Sequence, residues 1–395
     1  MTGATPRVLV VAGEASGDLY GSLVMRAMGA SGRPAEFTGI GGPSMRSAGL
    51  RALGDAGVLG VTGFLEVLGS ARVIWRAYRE ACRMLASSAG RPDLALLIDY
   101  PDFNLRLARK ARRAGVPVLY FVSPQVWAWR KGRVRQVAGV VNRMLVILPF
   151  EEEIYRRAGV PVEFVGHPLL DLVRTERTRE QALRPLGLDP KRPVVALLPG
   201  SRGNELRAHL PAMLGAALLL RDEFRDLQFV VPVAPTLDLK EIRGLVMTRF
   251  APGSAGGRGG DGPGWAVVGE HRYDAVAACD VAVVASGTAT LETALLGVPM
   301  VIVYRVNALT YALARALSDV PHIGMPNLIA GERVAPELVQ GDCRAPRIAQ
   351  EVRRILTDPR AAEAIRHGLA GVRSRLGRPG AIPRVAAAAW DMIGA

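Results

Sequence analysis

Cysteine is scarce in this 395-residue sequence, and long apolar runs are absent. The three cysteines, Cys82, Cys279 and Cys343, lie far apart and form no CxxC pair, which argues against a disulfide framework. No apolar run approaches the roughly 20 residues that span a bilayer, and residues 1–6 have no signal-peptide layout. We therefore expect a folded protein of a reducing, cytoplasmic compartment.

Recognisable metal and nucleic-acid motifs are also missing. There is no DxD pair and no HExxH motif, and the five histidines are scattered, so no metal ion or other cofactor is expected. Basic residues nevertheless outnumber acidic ones by 50 to 36. Because no basic block carries interleaved aromatics, we expect no nucleic-acid partner. An acidic lipid, a phosphorylated substrate or a coding bias toward arginine remain as explanations of the positive charge.

Apolar strands alternate with helices along the sequence. Residues 93–98 (DLALLI) form a continuous apolar run that is typical of a buried parallel strand. A Gly-Val-Pro turn separates a helix from the next strand at residues 115–117, 159–161 and 297–299. This punctuation predicts right-handed βαβ units and a doubly wound parallel sheet, an α/β fold.

The βαβ pattern starts twice, at residues 7–13 and at residues 192–200, each time with a strand that leads to a Gly-containing loop. Between the two starts, residues 175–193 have the polar, Pro-punctuated composition of a linker. We therefore predict two Rossmann-like domains that face each other across a cleft. Their bounds are residues 1–174 and residues 175–364.

Two loops of the first predicted domain are candidates for ligand binding, because open α/β sheets bind ligands at the carboxyl ends of their strands. Residues 13–18 (GEASGD) are small enough for a ligand to approach the backbone, although a tight turn explains them equally well. Asp99 directly follows the run at 93–98, and burial can tune such a carboxylate to act as a general base toward a sugar hydroxyl. Asp102 is better explained as a helix cap.

Two loops of the second predicted domain have the composition of anion sites. Each leads into a helix, where backbone N–H groups can point at a diphosphate, and Arg202 adds a guanidinium to the first loop. Glu292, about one turn into the second helix, either takes the ribose hydroxyls of a nucleotide or only adds favourable charge there. The small and hydroxylated residues of the two loops are Gly200, Ser201, Ser286, Gly287 and Thr288.

Residues 64–85 mix large apolar side chains with closely spaced arginines. The segment is either an interfacial membrane helix whose arginines meet acidic headgroups or a core helix with a basic outer face, and the clustered aromatics favour the membrane. The residues assigned to this contact are Phe64, Leu65, Leu68, Arg72, Trp75, Arg76 and Tyr78.

At these segments the sequence resembles lipid-A-disaccharide synthase, a family of inverting glycosyltransferases with the GT-B fold. The resemblance covers nearly the whole chain, and several matches in order are more specific than any single Gly-rich loop. The segments that carry it are 8–18 (VLVVAGEASGD), 39–45 (GIGGPSM), 122–130 (VSPQVWAWR), 164–169 (FVGHPL), 198–202 (LPGSR), 286–292 (SGTATLE) and 325–331 (MPNLIAG).

The resemblance implies a reaction and a site. UDP-2,3-diacylglucosamine would donate its sugar to the 6-hydroxyl of 2,3-diacylglucosamine 1-phosphate, giving the β-1,6-linked disaccharide 1-phosphate of lipid A biosynthesis and UDP. Asp99 matches the family's essential carboxylate, Arg202 a donor-site arginine, and Asn327 a functional asparagine. The loop at 286–288 would hold the diphosphate, and Glu292 would hold the ribose. The residues expected near the acceptor are Glu14, Ser16, Gly17, Gln125, Trp127 and His167.

The resemblance also implies partners and an assembly. Because both substrates carry acyl chains, the protein would associate peripherally with the cytoplasmic face of the inner membrane. A C-terminal helix at about 365–395 would pack back onto the first domain, and some members form homodimers by exchanging C-terminal parts. Tyr100, where a small residue is common, and Thr62, where methionine is expected, depart from the family pattern and bear on how acyl chains are accommodated.

Two rival enzymes use a similar fold. A peptidoglycan N-acetylglucosaminyltransferase is disfavoured by the segment at 122–130. A UDP-N-acetylglucosamine 2-epimerase acts on a soluble sugar nucleotide and has no use for the basic, aromatic segment at 64–85. A sugar-nucleotide binder without catalytic activity is a third alternative.

Overall fold

The chain folds into two compact units. The first comprises Met1–Asp171 together with Leu376–Ala395, and the second comprises Leu172–Arg375. The structure, a computed structural model, describes residues 5–53, 67–126, 132–250, 264–317 and 320–394.

The first unit contains a seven-stranded sheet in which all neighbouring strands are parallel. Its strands are β1 (Arg7–Ala12), β2 (Glu36–Ile40), β3 (Arg51–Ala52), β4 (Leu94–Ile98), β5 (Val118–Phe121), β6 (Arg143–Val146) and β7 (Val162–Phe164). Their order is β3-β2-β1-β4-β5-β6-β7. Strand β4 is buried at every position, as its unbroken apolar sequence predicts.

The second unit contains a six-stranded parallel sheet. Its strands are β8 (Val194–Leu198), β9 (Gln228–Pro232), β10 (Trp265–Val268), β11 (Val281–Ala285), β12 (Met300–Tyr304) and β13 (Glu337–Val339). Their order is β10-β9-β8-β11-β12-β13. The two sheets confirm the prediction of a doubly wound α/β fold.

Helices connect most of the strands. They are α1 (Ala15–Ala30), α2 (Pro43–Ser47), α3 (Val67–Ala86), α4 (Pro101–Arg113), α5 (Arg133–Ala138), α6 (Pro149–Arg157), α7 (Leu169–Leu172), α8 (Arg179–Leu183), α9 (Gly203–Glu223), α10 (Leu239–Phe250), α11 (Arg272–Ala277), α12 (Thr288–Leu295), α13 (Ala308–Leu317), α14 (Met325–Ala330), α15 (Ala345–Thr357), α16 (Pro359–Arg375) and α17 (Ala381–Gly394). Short 3-10 helices occur at Arg184–Leu186 and Gln340–Asp342.

The Gly-Val-Pro turns follow the ends of α4, α6 and α12. Gly115, Gly159 and Gly297 have φ values of 73°, 72° and 72°. This left-handed conformation is the one that glycine adopts without steric cost after the last turn of a helix. The repeated motif therefore sets where each helix stops and where the following strand begins.

Helix α17 belongs to the first unit, where it packs against α1 and β4. The guanidinium of Arg33 lies 5.3 Å from the ring centroid of Trp390. At the start of α17, the Asp171 carboxylate accepts hydrogen bonds from the backbone N–H groups of Gly380 (2.8 Å) and Ala381 (3.2 Å). Helix α16, which begins at Pro359, belongs to the second unit.

Candidate active site

Each sheet has a topological switch point, where the connections on either side of a central strand run in opposite directions. It lies between β1 and β4 in the first sheet and between β8 and β11 in the second. Ligands of open α/β sheets bind outside the carboxyl ends of the strands at such a point. Residues 13–18 and Asp99 lie at the first switch point, and residues 199–202 and 286–288 lie at the second.

Asp99 stands on a strained piece of backbone. Asp99 and Tyr100 both have a φ of 47°, a conformation that costs about 1–3 kcal/mol for residues other than glycine. The carbonyl of Asp99 accepts hydrogen bonds from the Tyr120 hydroxyl (2.5 Å) and the Asn104 side-chain amide (2.8 Å). Asn104 is fully buried and also donates to the carbonyl of Ile98 (3.2 Å). These contacts fix the backbone from which the Asp99 carboxylate projects.

The ring of Tyr100 covers the loop that follows β1. A Cβ atom on Gly13 would lie 2.3 Å from Cγ of that ring, so glycine is required at this position. The ring also stacks on Phe103, with 5.4 Å between the centroids. The glycine that follows β1 is therefore explained by the close approach of Tyr100.

The environment of Asp99 suits a general base. Its pKa is raised to about 6, mainly because the carboxylate is buried and secondarily because the negative charge of Glu14 is near, while a hydrogen bond from the Tyr100 backbone opposes the rise. A base is most effective when its pKa lies near the working pH. Asp99 is therefore mostly ionised near neutral pH, and its raised pKa makes the carboxylate a stronger base than that of an ordinary aspartate.

Two neighbouring carboxylates have structural contacts. Asp18 is buried, and it accepts hydrogen bonds from backbone N–H groups at the start of α2, including those of Gly42 (2.7 Å) and Ser44 (2.9 Å). Asp102 lies inside the first turn of α4, whose N-cap residue is Tyr100, so its interpretation as the helix cap is wrong. It forms an ion pair with Arg133 instead.

In the second unit, Glu205 organises the loop between β8 and α9. Its carboxylate accepts a hydrogen bond from the Ser201 backbone N–H (2.9 Å) and lies 3.4 Å from the guanidinium of Arg202. A Cβ atom on Gly200, which has a φ of 124°, would lie 2.5 Å from the Glu205 carboxylate. Glycine therefore lets the carboxylate reach the loop, while the Arg202 side chain stays 46% exposed.

His209 joins this loop to the end of β12. Its Nδ1 donates to the carbonyl of Pro199 (3.0 Å), and its Nε2 accepts from the backbone N–H of Arg305 (3.0 Å). Burial lowers its pKa, which keeps the neutral tautomer that this pair of bonds requires. No sequence motif predicts this role, because Arg305 is 96 residues from His209 along the chain.

The loop after β11 presents the start of a helix at the same switch point. The Ser286 hydroxyl donates to the carbonyl of Ile323 (2.9 Å), which anchors the beginning of the loop. Gly287 and Thr288 are exposed, and Gly287 has a φ of 147°. Since α12 starts at Thr288, the first backbone N–H groups of an eight-residue helix lie beside this loop.

Glu292 and Asn327 differ in burial and in the groups they bind. The Tyr273 hydroxyl donates to Oε1 of the half-buried Glu292 (2.8 Å), which orients its carboxylate. Asn327 is fully buried: its amide donates to the carbonyl of Ala335 and to Glu337, and its carbonyl oxygen accepts from the backbone. Asn327 therefore acts inside the fold, where it holds Glu337.

Comparison with known proteins identifies the family. Residues 8–371 match the family model described as Lipid-A-disaccharide synthetase. The chain is 47% identical to the lipid-A-disaccharide synthase of Geobacter sulfurreducens over 388 residues, covering 98% of this chain and 97% of the relative. It is 44% identical to that of Myxococcus xanthus over 388 residues, covering 98% of each. The chain belongs to the lipid-A-disaccharide synthase family. It is therefore a glycosyltransferase.

Solved structures of other enzymes share the fold of this lipid-A-disaccharide synthase family member. The calicheamicin glycosyltransferase CalG4 aligns with a TM-score of 0.60 at 15% identity, covering 99% of both chains. The UDP-GlcNAc 2-epimerase of Neisseria meningitidis aligns with a TM-score of 0.54 at 12% identity, covering 94% of this chain and 97% of the other. At such identities the likeness concerns the fold alone, and it confirms the GT-B class.

The residues expected near the acceptor differ in their exposure to solvent. Glu14 and Gln125 are exposed, Ser16 is half-buried and Gly17 is buried, whereas Trp127 lies outside the described residues. Their role in acceptor binding stays a prediction.

His167 is buried inside the first unit. Its Nδ1 accepts a hydrogen bond from the Leu169 backbone (3.1 Å), and its own backbone N–H donates to the carbonyl of Leu376 (3.0 Å). Burial lowers its pKa to about 4, so the ring is neutral at physiological pH. His167 thus supports the point where the chain returns to the first unit, and its geometry does not favour a direct contact with substrate.

Helix α3 carries part of the segment assigned to the membrane. Phe64 and Leu65 lie outside the described residues, as do the side chains of Leu68 and Arg72. On the described part, Trp75 is 59% exposed, with the guanidinium of Arg79 4.5 Å from its ring centroid. Arg76 is exposed and pairs with Glu80 (3.3 Å), whereas Tyr78 packs edge-on against Phe103 of α4 at 5.4 Å.

Among the described residues, no group of three or more His, Cys, Asp or Glu side chains is arranged to hold a metal ion. Nor does any helix in them have the length and apolar character needed to cross a bilayer.

Proposed function

We propose that the protein transfers 2,3-diacylglucosamine from UDP-2,3-diacylglucosamine to the 6-hydroxyl of 2,3-diacylglucosamine 1-phosphate, with inversion at the anomeric carbon. The products are the β-1,6-linked disaccharide 1-phosphate and UDP. The observation that carries this proposal is Asp99, a carboxylate with a pKa of about 6 at the first switch point. Family membership supplies the class of reaction, and the named sugars extend it.

Asp99 acts as the general base. It removes the proton of the acceptor 6-hydroxyl as that oxygen attacks the anomeric carbon of the donor from the face opposite UDP. One carbon–oxygen bond forms while the bond to the diphosphate oxygen breaks, so a single displacement inverts the configuration. A positioned base of this kind contributes roughly 10²–10⁴-fold to the rate. Tyr120 and Asn104 are positioning residues, because they hold the Asp99 backbone.

The departing UDP carries the negative charge that the second unit stabilises. Arg202 supplies a guanidinium, and the loop at 286–288 supplies backbone N–H groups at the start of α12. Glu292, oriented by Tyr273, accepts hydrogen bonds from the ribose hydroxyls. Arg202 and the loop at 286–288 thus bind the diphosphate of the donor, and Glu292 binds its ribose. The proposed mechanism uses no metal ion.

The acyl chains of both lipids place the reaction at a membrane surface. Exposed Trp75 on α3, flanked by arginines, suits the interface of an acidic bilayer. The net charge of +14 favours the same partner. The protein accordingly associates with the cytoplasmic face of the inner membrane without spanning it, and a homodimer remains a further expectation.

The direct test is disaccharide formation from the two lipids in the presence of EDTA. Wild-type turnover should survive chelation, and Asp99→Asn should lower kcat by at least roughly 10²-fold. Asp391→Asn, which changes an exposed carboxylate on α17, is the matched control and should stay active. Absence of wild-type product would refute the substrate assignment, and an active Asp99→Asn variant would remove the base. Conversion of donor alone would instead indicate an epimerase.

The Tm of Asp99→Asn shows whether the substitution destabilises the protein, and the direction of the expected change follows from the pKa of Asp99. The pKa of Asp99 in the folded protein, about 6, lies above its ordinary value of 3.8. Stability is therefore lost as the pH rises from about 3.8 to about 6, and the full cost of ionising Asp99 persists at higher pH. Asp99→Asn removes that cost, so its Tm at about pH 8 should be no lower than that of wild type. A lower Tm would mean that reduced stability contributes to the lost activity.

A further inference from the structure

A basic groove lies between α4 and α5 of the first unit. It is open to solvent and has a volume of about 410 Å³. The residues that line the groove include Pro101, Asp102, Arg106, Arg109, Arg133 and Gln136. None of these was singled out as a binding residue by the sequence, because α4 and α5 meet only in the folded chain.

The charges of the groove suit a phosphomonoester. Arg106, Arg109 and Arg133 contribute three positive charges and Asp102 one negative charge, which leaves an excess of two. A phosphomonoester carries about −1.5 to −2 at neutral pH, so the charges match. Guanidinium groups are also the donors that bind phosphate oxygens with two parallel hydrogen bonds.

The arginines differ in how they are held. Arg133 is 11% exposed and is paired with Asp102, so it forms a fixed part of the groove wall. Arg106 and Arg109 are exposed on α4, and Arg109 reaches Gln136 by a long contact of 3.4 Å. Within the described residues, Arg106 has neither an ion pair nor a hydrogen bond through its side chain. An incoming phosphate can therefore recruit Arg106 and Arg109 without breaking a strong contact.

The groove begins beside the proposed base. Pro101 and Asp102 follow Asp99 after a single residue and open α4, so the helix leads directly from the base to the arginines. Arg106 lies five residues beyond Pro101, a rise of about 7.5 Å along the helix. One sugar ring separates the 6-hydroxyl of the proposed acceptor from its 1-phosphate. A ring with its hydroxyl at Asp99 can therefore place its phosphate in the groove.

The groove also lies next to α3, the helix that the proposed function assigns to the membrane surface. Tyr78 of α3 packs against Phe103 of α4, and Trp75 is exposed one turn earlier on α3. A lipid that enters beside α3 therefore meets α4 next. The order of the helices, α3 then α4 then α5, matches a molecule with its acyl chains in the bilayer and its phosphate away from it.

We propose that the groove between α4 and α5 binds the anomeric phosphate of the acceptor lipid. The proposal rests on the proposed function, because it names the place of that acceptor's phosphate. Anionic headgroups of the bilayer share the same chemistry, so the test has to separate substrate from membrane.

The test compares the phosphorylated acceptor with the same lipid bearing a free anomeric hydroxyl. The double variant Arg106→Gln/Arg109→Gln should raise KM for the phosphorylated acceptor by at least about 10-fold, the loss expected for a hydrogen bond to a charged group. Its KM for the unphosphorylated lipid and its kcat should stay close to wild type. Lys110→Gln, an exposed charge change on α4 outside the groove, is the matched control.

Three results would overturn the assignment. The first is an unchanged KM for the phosphorylated acceptor. The second is an equal loss with both acceptors, which would indicate damage to α4. The third is a loss of binding to phosphatidylcholine vesicles containing phosphatidylglycerol while KM for a short-chain, soluble acceptor is unaffected, which would assign the groove to headgroups.

Failure of the proposed function is separable from failure of the groove. If wild type makes no disaccharide from either lipid, the substrates are wrong, and binding of soluble glucosamine 1-phosphate is then measured by calorimetry. Tighter binding by wild type than by the double variant would retain the phosphate site. Equal binding would reject it.

Discussion

Replacing Glu14 by glutamine is expected to shift the acidic limb of the pH–rate profile toward lower pH. Asp99 must be ionised to accept a proton, so kcat/KM should rise with pH and level off above about 6. Glu14 raises the pKa of Asp99 because its negative charge disfavours a second one nearby. Removing that charge stabilises ionised Asp99, so the acidic limb shifts toward lower pH.

The size of the shift follows from the ranking of the two causes. The pKa rises from 3.8 to about 6, and burial contributes more than Glu14 does. Because burial is the larger cause and stays in place, removing Glu14 should bring the pKa of Asp99 only part of the way back toward 3.8. In the acidic limb, each pKa unit of such a shift would increase the ionised fraction of Asp99 about 10-fold. At about pH 8 the variant should differ little from wild type, since Asp99 is already ionised there.

The assay is initial-rate disaccharide synthesis with subsaturating acceptor across the acidic range. Glu36→Gln, an exposed change of the same charge at the start of β2, is the control and should leave the limb in place. High salt should move the wild-type limb in the same direction as Glu14→Gln, because Glu14 is exposed and its charge is screened. A limb that stays put or moves to higher pH in Glu14→Gln would refute the electrostatic reasoning. A wild-type profile without an acidic limb would refute Asp99 as the base.

Two further changes test the loops that follow β1 and β8. Gly13→Ala should lower the free energy of unfolding by about 1–3 kcal/mol in urea titrations, because the added methyl group collides with the Tyr100 ring. The double variant Gly13→Ala/Tyr100→Ala should recover part of that loss. Glu205→Gln should raise KM for the UDP donor by about 10-fold in steady-state kinetics, because the charge that fixes the Ser201 backbone and the Arg202 guanidinium is gone.

Each of these changes has a control on the same helix or close to it. Gly29→Ala in α1 places its methyl group in open space and should not destabilise the protein. Glu223→Gln lies at the other end of α9, where it pairs with Arg353, and should leave donor KM unchanged. A Gly13→Ala protein as stable as wild type would refute the steric argument, and an unchanged donor KM in Glu205→Gln would refute the ordering role of Glu205.

Local sequence patterns predicted the elements that carry the site. Buried strands read as unbroken apolar runs because both faces of a parallel sheet are covered, and β4 is such a strand. The loops after β1, β4, β8 and β11 could be singled out because ligands gather at the carboxyl ends of strands. Asp99 and Arg202 were proposed as site residues in this way, and their roles stay predictions.

Side chains that hold the site through distant contacts escaped prediction. His209 bonds the backbone of Arg305, which is 96 residues away, and Tyr273 bonds Glu292 across 19 residues. The residues next to a histidine or a tyrosine in the sequence do not predict such a distant hydrogen-bond partner. The same holds for the interpretation of Asp102 as a cap, which failed because α4 begins at Pro101 and places Asp102 inside its first turn.

The sequence by itself determined the alternation of strands and helices, the position of the loops at strand ends and the family. These follow from short-range rules: the period of apolar residues, the glycine that ends a helix, and ordered motifs. Only the tertiary structure decided that Tyr120 and Asn104 clamp Asp99, that Glu205 organises the Arg202 loop, and that three arginines surround one groove. Burial, charge coupling and hydrogen bonds between remote segments exist only once the chain is packed, and the pKa of Asp99 depends on them.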